Sequence, residues 1–455
     1  MAAKRSARQI ALEVLDRIEY HGAYANLEIQ KELQGAVTKQ DRAFITELVY
    51  GSVRMKLALK WVISQFVSIR WKKIDENIRL VLMLGVYQLL FMDKVPARAA
   101  CNEMVDLTKA ISNKGAAGFV NGVLRNIVRN SHRISWPDKE TDPVKYLSVT
   151  YSHPQWIVEK WLERFGAADT EALCKYNNLP ATLTARTNSL KTTISQVKSS
   201  LEMENVTVTQ GKLLPEALYI KAQKRIDELE TFKIGKFILQ DESSMLPAKI
   251  LCPEPGSFVI DGCAAPGGKT TQLAEIMGDS GKILACDIHQ HKLRLVKINK
   301  ERLGCHIVEE RLMDARELGD LFPNQVDYLL LDVPCSGLGV LSRRADARWR
   351  KSPDDILHMV ELQWQILTKA SRCLKKNGVL VYSTCTIERE ENENMINRFL
   401  AKFEDFKAVD ITPYLPFTLT NADAETARNG YLQMLPQHYG VDGFFVAKIR
   451  RLGDC

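Results

Sequence analysis

Along the first 140 residues the apolar positions recur at helical spacing. Ile10, Val14, Leu15 and Ile18 share one face, and Phe119, Val123 and Ile127 share another. Residues 78–92 are nearly all apolar, broken only by Arg79 and Gln88. Fifteen residues are too few to cross a bilayer, so this run predicts a buried helix. The stretch WPDKETDP (136–143), with two prolines and four charges, reads as a linker. Beyond it the rhythm changes. TLTART, NVTVT and ALYIK alternate like strands, while Ile194, Val197 and Leu201 keep helical spacing. From about residue 233 short apolar strands alternate with helical patterns. The strand candidates are residues 257–261 (SFVID), 282–287 (KILACD), 327–332 (DYLLLD) and 378–384 (GVLVYST). This order predicts an all-α domain over 1–140, a small α+β domain over 145–232, and a doubly wound α/β domain with a parallel sheet over 233–455.

Composition adds little to the fold but something to the partner. Of 455 residues, 45% are hydrophobic and 26% charged, ordinary for a globular chain with a core of normal size. The net charge of +7 is uneven. Residues 1–150 hold 23 basic and 15 acidic residues, and the remainder holds 39 and 40. A basic front on a neutral body suits a polyanion, most simply nucleic acid. The 10 cysteines are never closer than 11 positions, which excludes CxxC zinc or thioredoxin spacing and makes a disulfide framework unexpected. No metal site is expected. Reduced thiols point to the cytoplasm. The basic N-terminus leads into an amphipathic pattern without the apolar core of a signal peptide.

The segment VIDGCAAPGGKTTQLAE (259–275) is a strand, a small-residue turn and a helix start. Its glycines allow a close ligand, and a helix N-terminus favours negative charge. A P-loop is one reading, but Walker A needs glycine where Cys263 stands. A nucleoside cofactor is the other. In such folds an acid at the end of the second strand, about 20 residues on, holds ribose hydroxyls. Asp287 stands there, 19 residues after Gly268. Asp314, in RLMDARE, would follow the third strand and reach the base. An adenosine-containing methyl donor suits this series better than a dinucleotide, because GxGxxG is missing.

Two cysteines follow two strands: Cys335 in DVPCSG and Cys385 in STCT. Ligands of open α/β sheets bind beyond the carboxyl ends of the strands, so both thiols face one crevice. A thiolate added to carbon 6 of cytosine converts the ring to an enamine, whose carbon 5 can take an electrophilic methyl group. The thiolate needs favourable surroundings, for which Lys269 is a candidate. Asp332, three residues before Cys335, is placed to hydrogen-bond cytosine N3 and the exocyclic amine. Spacing alone does not say which thiol attacks.

CAAPGGK, DVPCSG and STCT together resemble the motifs of the Nol1/Nop2/Sun family of RNA cytosine-C5 methyltransferases, which use S-adenosylmethionine. HGAYAN (21–26), LVYGSVR (48–54) and NGVLRNIVR (121–129) resemble a NusB-like RNA-binding domain, and YSHPQW (151–156) and ILQDESSM (238–245) resemble the joints of a ferredoxin- or RRM-like middle domain. The resemblance spans nearly the whole chain. It implies cofactor contacts from Cys263, Ala264, Ala265, Pro266, Gly267, Gly268, Lys269, Asp287, Asp314 and Asp332. It implies Cys385 as nucleophile and Cys335 as an aid to product release. The implied substrate is one cytosine of 16S ribosomal RNA, usually called 967, in small-subunit rRNA or its early assembly intermediates. A monomer without membrane attachment is implied. The chain departs from the family at Ala345, where His or Asn followed by Pro is usual after the paired arginines. Arg343, Arg344 and Arg348 flank or precede Trp349 in this loop, a combination suited to phosphates and an unpaired base. A binding factor with an idle catalytic domain is the alternative, opposed by the intact Cys385, Cys335 and Asp332.

Overall fold

The computed structural model describes residues 5–34 and 38–453. The chain divides into two compact units: residues 1–179 with Leu341–Arg350, and residues 180–340 with 351–455.

The first unit is helical. Ala7–Tyr20, Lys39–Arg54, Ala97–Ile111 and Lys114–Arg129 surround Glu76–Phe91, the helix expected from the apolar run, in which all ten residues from Ile78 to Gln88 except Arg79 are buried. Its start is fixed by Asp75, whose Oδ1 accepts from the backbone N–H groups of Asn77 and Ile78. Ser6, Thr38 and Asn113 cap their helices in the same way. Ile10, Val14, Leu15, Ile18, Val123 and Ile127 lie in this core, with Phe119 packed against it.

The second unit holds two sheets. β1 (Leu183–Thr187), β2 (Thr207–Gln210), β3 (Ala217–Lys221) and β4 (Phe237–Leu239) form an antiparallel sheet in the order β2-β3-β1-β4. The helix Ile194–Met203 opens with a Thr193–Gln196 capping box and buries Val197 and Leu201. β4 lies past residue 232, where the middle domain was expected to end.

The other sheet comprises β5 (Phe258–Asp261), β6 (Lys282–Asp287), β7 (Val308–Leu312), β8 (Val326–Asp332), β9 (Leu374–Thr384), β10 (Phe406–Ala408), β11 (Tyr431–Met434) and β12 (Phe444–Arg451). Its order is β10-β12-β9-β8-β5-β6-β7, with β11 also paired to β12. β5, β6, β7, β8 and β9 pair in parallel, as the strand–helix rhythm predicts. β10, β11 and β12 are antiparallel and make the sheet mixed, which the rhythm did not foresee. Strand order reverses between β5 and β8. The crevice beyond their carboxyl ends is where such a sheet binds its ligand.

Candidate active site

β8 and β9 lie side by side with Asp332 opposite Ser383. The alignment continues one residue past β8, since the Val333 N–H donates to the Ser383 carbonyl at 3.0 Å. Three and two residues beyond that pair, the chains turn towards each other. Cys335 Sγ lies 3.3 Å from Cys385 Sγ. The structure thus brings together the two thiols that the sequence placed only at one end of the sheet. The hydrogen bond with Cys385, together with burial, holds the Cys335 thiol well above the ordinary range. Cys335 therefore keeps its proton and can donate it to the sulfur of Cys385.

Asp332 ends β8, three residues before Cys335. Its Oδ2 accepts from Lys269 Nζ at 2.7 Å and its Oδ1 from Ser383 Oγ at 2.8 Å. Lys269 Nζ also reaches Ser244 Oγ at 3.3 Å and lies 5.2 Å from the centre of the Phe444 ring. Its ammonium is engaged with the Asp332 carboxylate.

The Gly-rich turn joins β5 to the helix Gly268–Ile276. The Ala264 N–H donates to the Cys286 carbonyl on β6 at 2.8 Å, and the Gly262 N–H to Leu330 on β8 at 2.9 Å. Gly267 has φ +101°, and a Cβ there would stand 3.1 Å from the Val296 backbone, so glycine is required. Beneath the turn Asp261 is buried. Its Oδ2 accepts from Thr270 Oγ at 2.7 Å, and its Oδ1 has no partner. Desolvation pushes this carboxyl up to about 7. Burial likewise holds the Cys263 thiol well above its usual range. Asp287 is half-buried at the end of β6, where Oδ1 accepts from the His289 N–H at 2.8 Å. Asp314 follows β7 and is gripped by Arg316, with bonds of 2.6 to 3.1 Å to both oxygens. That grip holds its carboxyl below the ordinary range.

Sequence reasoning missed the groups that hold the two cysteine loops. Glu391 is buried, and its Oε2 accepts from the Ser336 N–H at 2.9 Å and from Gln363 Nε2 at 2.8 Å. Gln363 Nε2 also donates to the Pro334 carbonyl at 2.8 Å. Asn392 Oδ1 accepts from Thr384 Oγ at 2.6 Å, and its Nδ2 donates to the Thr386 carbonyl at 3.0 Å. Both loops are thereby fixed to the run that follows STCT. That run, EREENEN, reads as a solvated charged stretch.

The arginine-rich loop is a correction. Arg348 and Trp349 were expected to face RNA. Arg348 is instead fully buried in the first unit, where its guanidinium donates to the carbonyls of Ser152 (3.1 Å) and Asn177 (3.0 Å) and to Asn178 Oδ1 (2.9 Å). Trp349 Nε1 donates to the Val53 carbonyl at 2.7 Å, and its ring packs on the helical core. Backbone carbonyls that need donors outcompete the solvent for these side chains. Arg343 is half-buried, and Arg344 is exposed.

Residues 248–450 match the family described as 16S rRNA methyltransferase RsmB/F. Residues 5–129 match the NusB family, and residues 153–227 match the RsmF/B-like ferredoxin-like domain. The probable ribosomal RNA small subunit methyltransferase B of Bacillus subtilis (strain 168) is 38% identical over 452 residues, covering 99% of this chain and all of that one. The chain belongs to the RsmB/F family of 16S rRNA methyltransferases. The ribosomal RNA small subunit methyltransferase B of Pasteurella multocida (strain Pm70) is 32% identical, over 99% of this chain and 96% of that one. The crystal structure of PH0851 is similar with a TM-score of 0.79 at 28% identity, over 97% of each chain. NSun6 from Pyrococcus horikoshii, solved with the S-adenosylmethionine analogue SFG, has a TM-score of 0.59 at 25% identity, over 66% of this chain and 99% of that one. The helical, ferredoxin-like and Rossmann-like parts expected from the sequence are those of the family. Among the described residues no helix is long and apolar enough to cross a membrane.

Proposed function

We propose that this chain methylates carbon 5 of one cytosine in 16S rRNA, at the position called 967, through a covalent bond between Cys385 and carbon 6. It does so as a cytoplasmic monomer. The observation that carries the reading is the sulfur pair at 3.3 Å, set beside Asp332 at the ends of two adjacent parallel strands.

S-adenosylmethionine is the cofactor, and when bound it supplies an electrophilic methyl group. The residues present fit it. The turn at 263–269 is tied to β6 through Ala264, so that the start of the helix and Asp287 flank one crevice. The buried, unpartnered Oδ1 of Asp261 lies beneath. Asp287 would take ribose hydroxyls, and the turn would pass close to the rest of the nucleoside.

The chain's own residues then divide the work on cytosine. Cys335 donates its proton towards Cys385 and so favours the Cys385 thiolate. That thiolate adds to carbon 6. Asp332, oriented by Lys269 and Ser383, would accept a hydrogen bond from the exocyclic amine, and the Lys269 ammonium beside it would offset the negative charge that develops on the ring as it accepts the sulfur. Release transfers the carbon 5 proton to solvent water and breaks the carbon 6–sulfur bond, so that Cys385 leaves as a thiolate towards which the Cys335 thiol can donate. Labelled methyl transfer to transcribed small-subunit rRNA, followed by nucleoside analysis, tests the proposal. 5-Methylcytidine at a single position is expected. Label in another base, or none, refutes it.

A further inference from the structure

The sulfur pair has a second chemistry open to it. Cys335 and Cys385 are both unbridged and partly exposed, whereas Cys101, Cys174, Cys286, Cys305 and Cys373 are buried. A small solute therefore meets the pair before it meets those five. The sulfurs stand 3.3 Å apart, and a disulfide bond is about 2.05 Å long. The movement that separates the two states is shorter than a carbon–carbon bond.

The two loops hold the thiols to each other. The Gly339 N–H donates to the Cys385 carbonyl at 3.1 Å, which ties the chain just past Cys335 to Cys385 itself. Ser336 and Thr386 directly follow the two cysteines, and their side-chain oxygens share a hydrogen bond at 2.7 Å. Ser336 is fixed in turn by its backbone N–H, which donates to Glu391 Oε2 at 2.9 Å. Each thiol thus meets the other at an effective concentration that no free thiol in solution reaches.

We infer that Cys335 and Cys385 form a reversible disulfide in the presence of a small hydroperoxide, and that this bond switches the catalytic centre off. The thiolate of Cys385 attacks the outer oxygen of the hydroperoxide. The oxygen–oxygen bond breaks, Cys385 becomes a sulfenic acid, and the departing oxyanion takes up the proton that Cys385 gave up. The sulfur of Cys335 then attacks that of Cys385. The sulfur–oxygen bond breaks, the disulfide forms, and hydroxide leaves as water with the Cys335 proton. The sulfurs lose two electrons and the peroxide oxygens gain two. Without a neighbouring thiol, a sulfenic acid goes on to sulfinic acid, which thiols do not reduce, whereas a disulfide yields to a dithiol. In a reducing compartment disulfides are transient and serve catalysis or redox sensing. The bond takes away the sulfur that adds to carbon 6, so its effect on methyl transfer rests on the proposed function; its formation does not.

The test uses the full-length protein, reduced and then freed of thiol, with hydrogen peroxide as the oxidant and no RNA. Mass spectrometry after digestion without reductant should find the peptides of Cys335 and Cys385 joined, lighter by two hydrogen atoms than their sum. Methyl transfer to transcribed small-subunit rRNA, assayed afterwards, should fall at least tenfold and return with dithiothreitol. In Cys335→Ala the same oxidant should carry Cys385 to sulfinic acid, read as two added oxygen atoms that dithiothreitol does not remove. A wild-type chain in which both thiols still react with iodoacetamide, or in which Cys385 gains oxygen without the link, overturns the inference. So do joined peptides with methyl transfer intact. Absence of methyl transfer by the reduced wild type would refute the proposed function alone, since the link is read without RNA.

Discussion

The guanidinium of Arg186, on the first strand of the ferredoxin-like sheet, lies 2.6 Å from the carboxylate of Glu275 on the helix that follows the Gly-rich turn. Both side chains are buried. The same guanidinium donates to the Gly268 carbonyl at 2.6 Å and to Thr271 Oγ at 3.1 Å, and it also reaches Gln240. The small sheet therefore holds the cofactor turn from behind. Burial raises the Glu275 carboxyl, and Arg186 pulls it back down.

Arg186→Met should accordingly do two things. It strands a buried carboxylate, at a cost of about 3–5 kcal/mol. It also frees the carbonyl of Gly268, which should weaken cofactor binding without any contact to the cofactor. Thermal melting and calorimetric titration measure the two effects. Adding Glu275→Leu should recover much of the stability, because the stranded charge is gone, but not the affinity. Equal recovery of both would mean that the pair has no hold on the turn.

Asp261 gives a pH signature. Its carboxyl is held up at about 7 by desolvation, against about 4 in an unfolded chain. Between those values the native state keeps a proton that the unfolded chain has released. Stability therefore falls as pH rises from about 4 to 7 and is flat above, as far as this group is concerned. Asp261→Asn is neutral at every pH and keeps an acceptor for Thr270. Its stability relative to wild type should rise across that window, by up to about 4 kcal/mol. The slope is the readout, since the cost of burying the amide is the same at each pH. Parallel curves for the two proteins would show that Asp261 is charged in the fold.

Glu391 should behave as a positioning residue for the thiol loops. In Glu391→Gln one acceptor oxygen becomes a donor facing the donors Ser336 and Gln363, at a cost of about 1–3 kcal/mol. The loop that carries Cys335 then loses its anchor. A tenfold or greater fall in kcat is expected, with the cofactor dissociation constant unchanged. A fall in cofactor affinity equal to the fall in kcat would point to collapse of the whole crevice instead.

Arg348 and Arg344 separate structure from recognition within one loop. Arg348→Ala leaves the Ser152 and Asn177 carbonyls without their donor, so melting should fall by several degrees. Arg344→Ala, at an exposed position, should leave melting unchanged and weaken rRNA binding. Melting and filter binding on both variants decide it.

What could be read beforehand follows from how local each signal is. Strands β5, β6, β8 and β9 announce themselves because apolar runs end in turn residues, and the Gly-rich turn, Cys335 and Cys385 lie at those ends. β7 does not. Its sequence Val-Glu-Glu-Arg-Leu has one fully buried residue and no apolar alternation. β12 enters antiparallel after β11 with no long helix between, so the strand–helix rhythm gives no hint of it. Arg186 sits in a legible strand, but its partner is 89 residues away. Glu391 reaches Ser336 across 55 residues from a run whose charges look solvated. The arginines and tryptophan of residues 343–350 carry the composition of an RNA contact, yet tertiary carbonyls claim Arg348 and Trp349. Composition reports what a side chain can bind, and only packing reports what it does bind.

The two thiols carry the last prediction. With sulfurs 3.3 Å apart and the Cys335 thiol raised by its neighbour and by burial, the proposed mechanism takes Cys385 as the sulfur that attacks carbon 6. Cys335→Ala should therefore still form the covalent enzyme–RNA adduct. It should resolve that adduct slowly, because the departing Cys385 thiolate loses its proton-donating partner. The trapped species should survive denaturing electrophoresis with its RNA attached. Cys385→Ala should give no such band and no methyl transfer, yet bind cofactor as wild type does, since the Gly-rich turn and Asp287 are untouched. The double variant should also give no band, because without attack nothing is trapped. A cytosine locked in a stable duplex should trap poorly in Cys335→Ala, as the base must leave its stack to reach the sulfurs. A stable adduct in the Cys385 variant instead would reverse the two roles and make Cys335 the nucleophile.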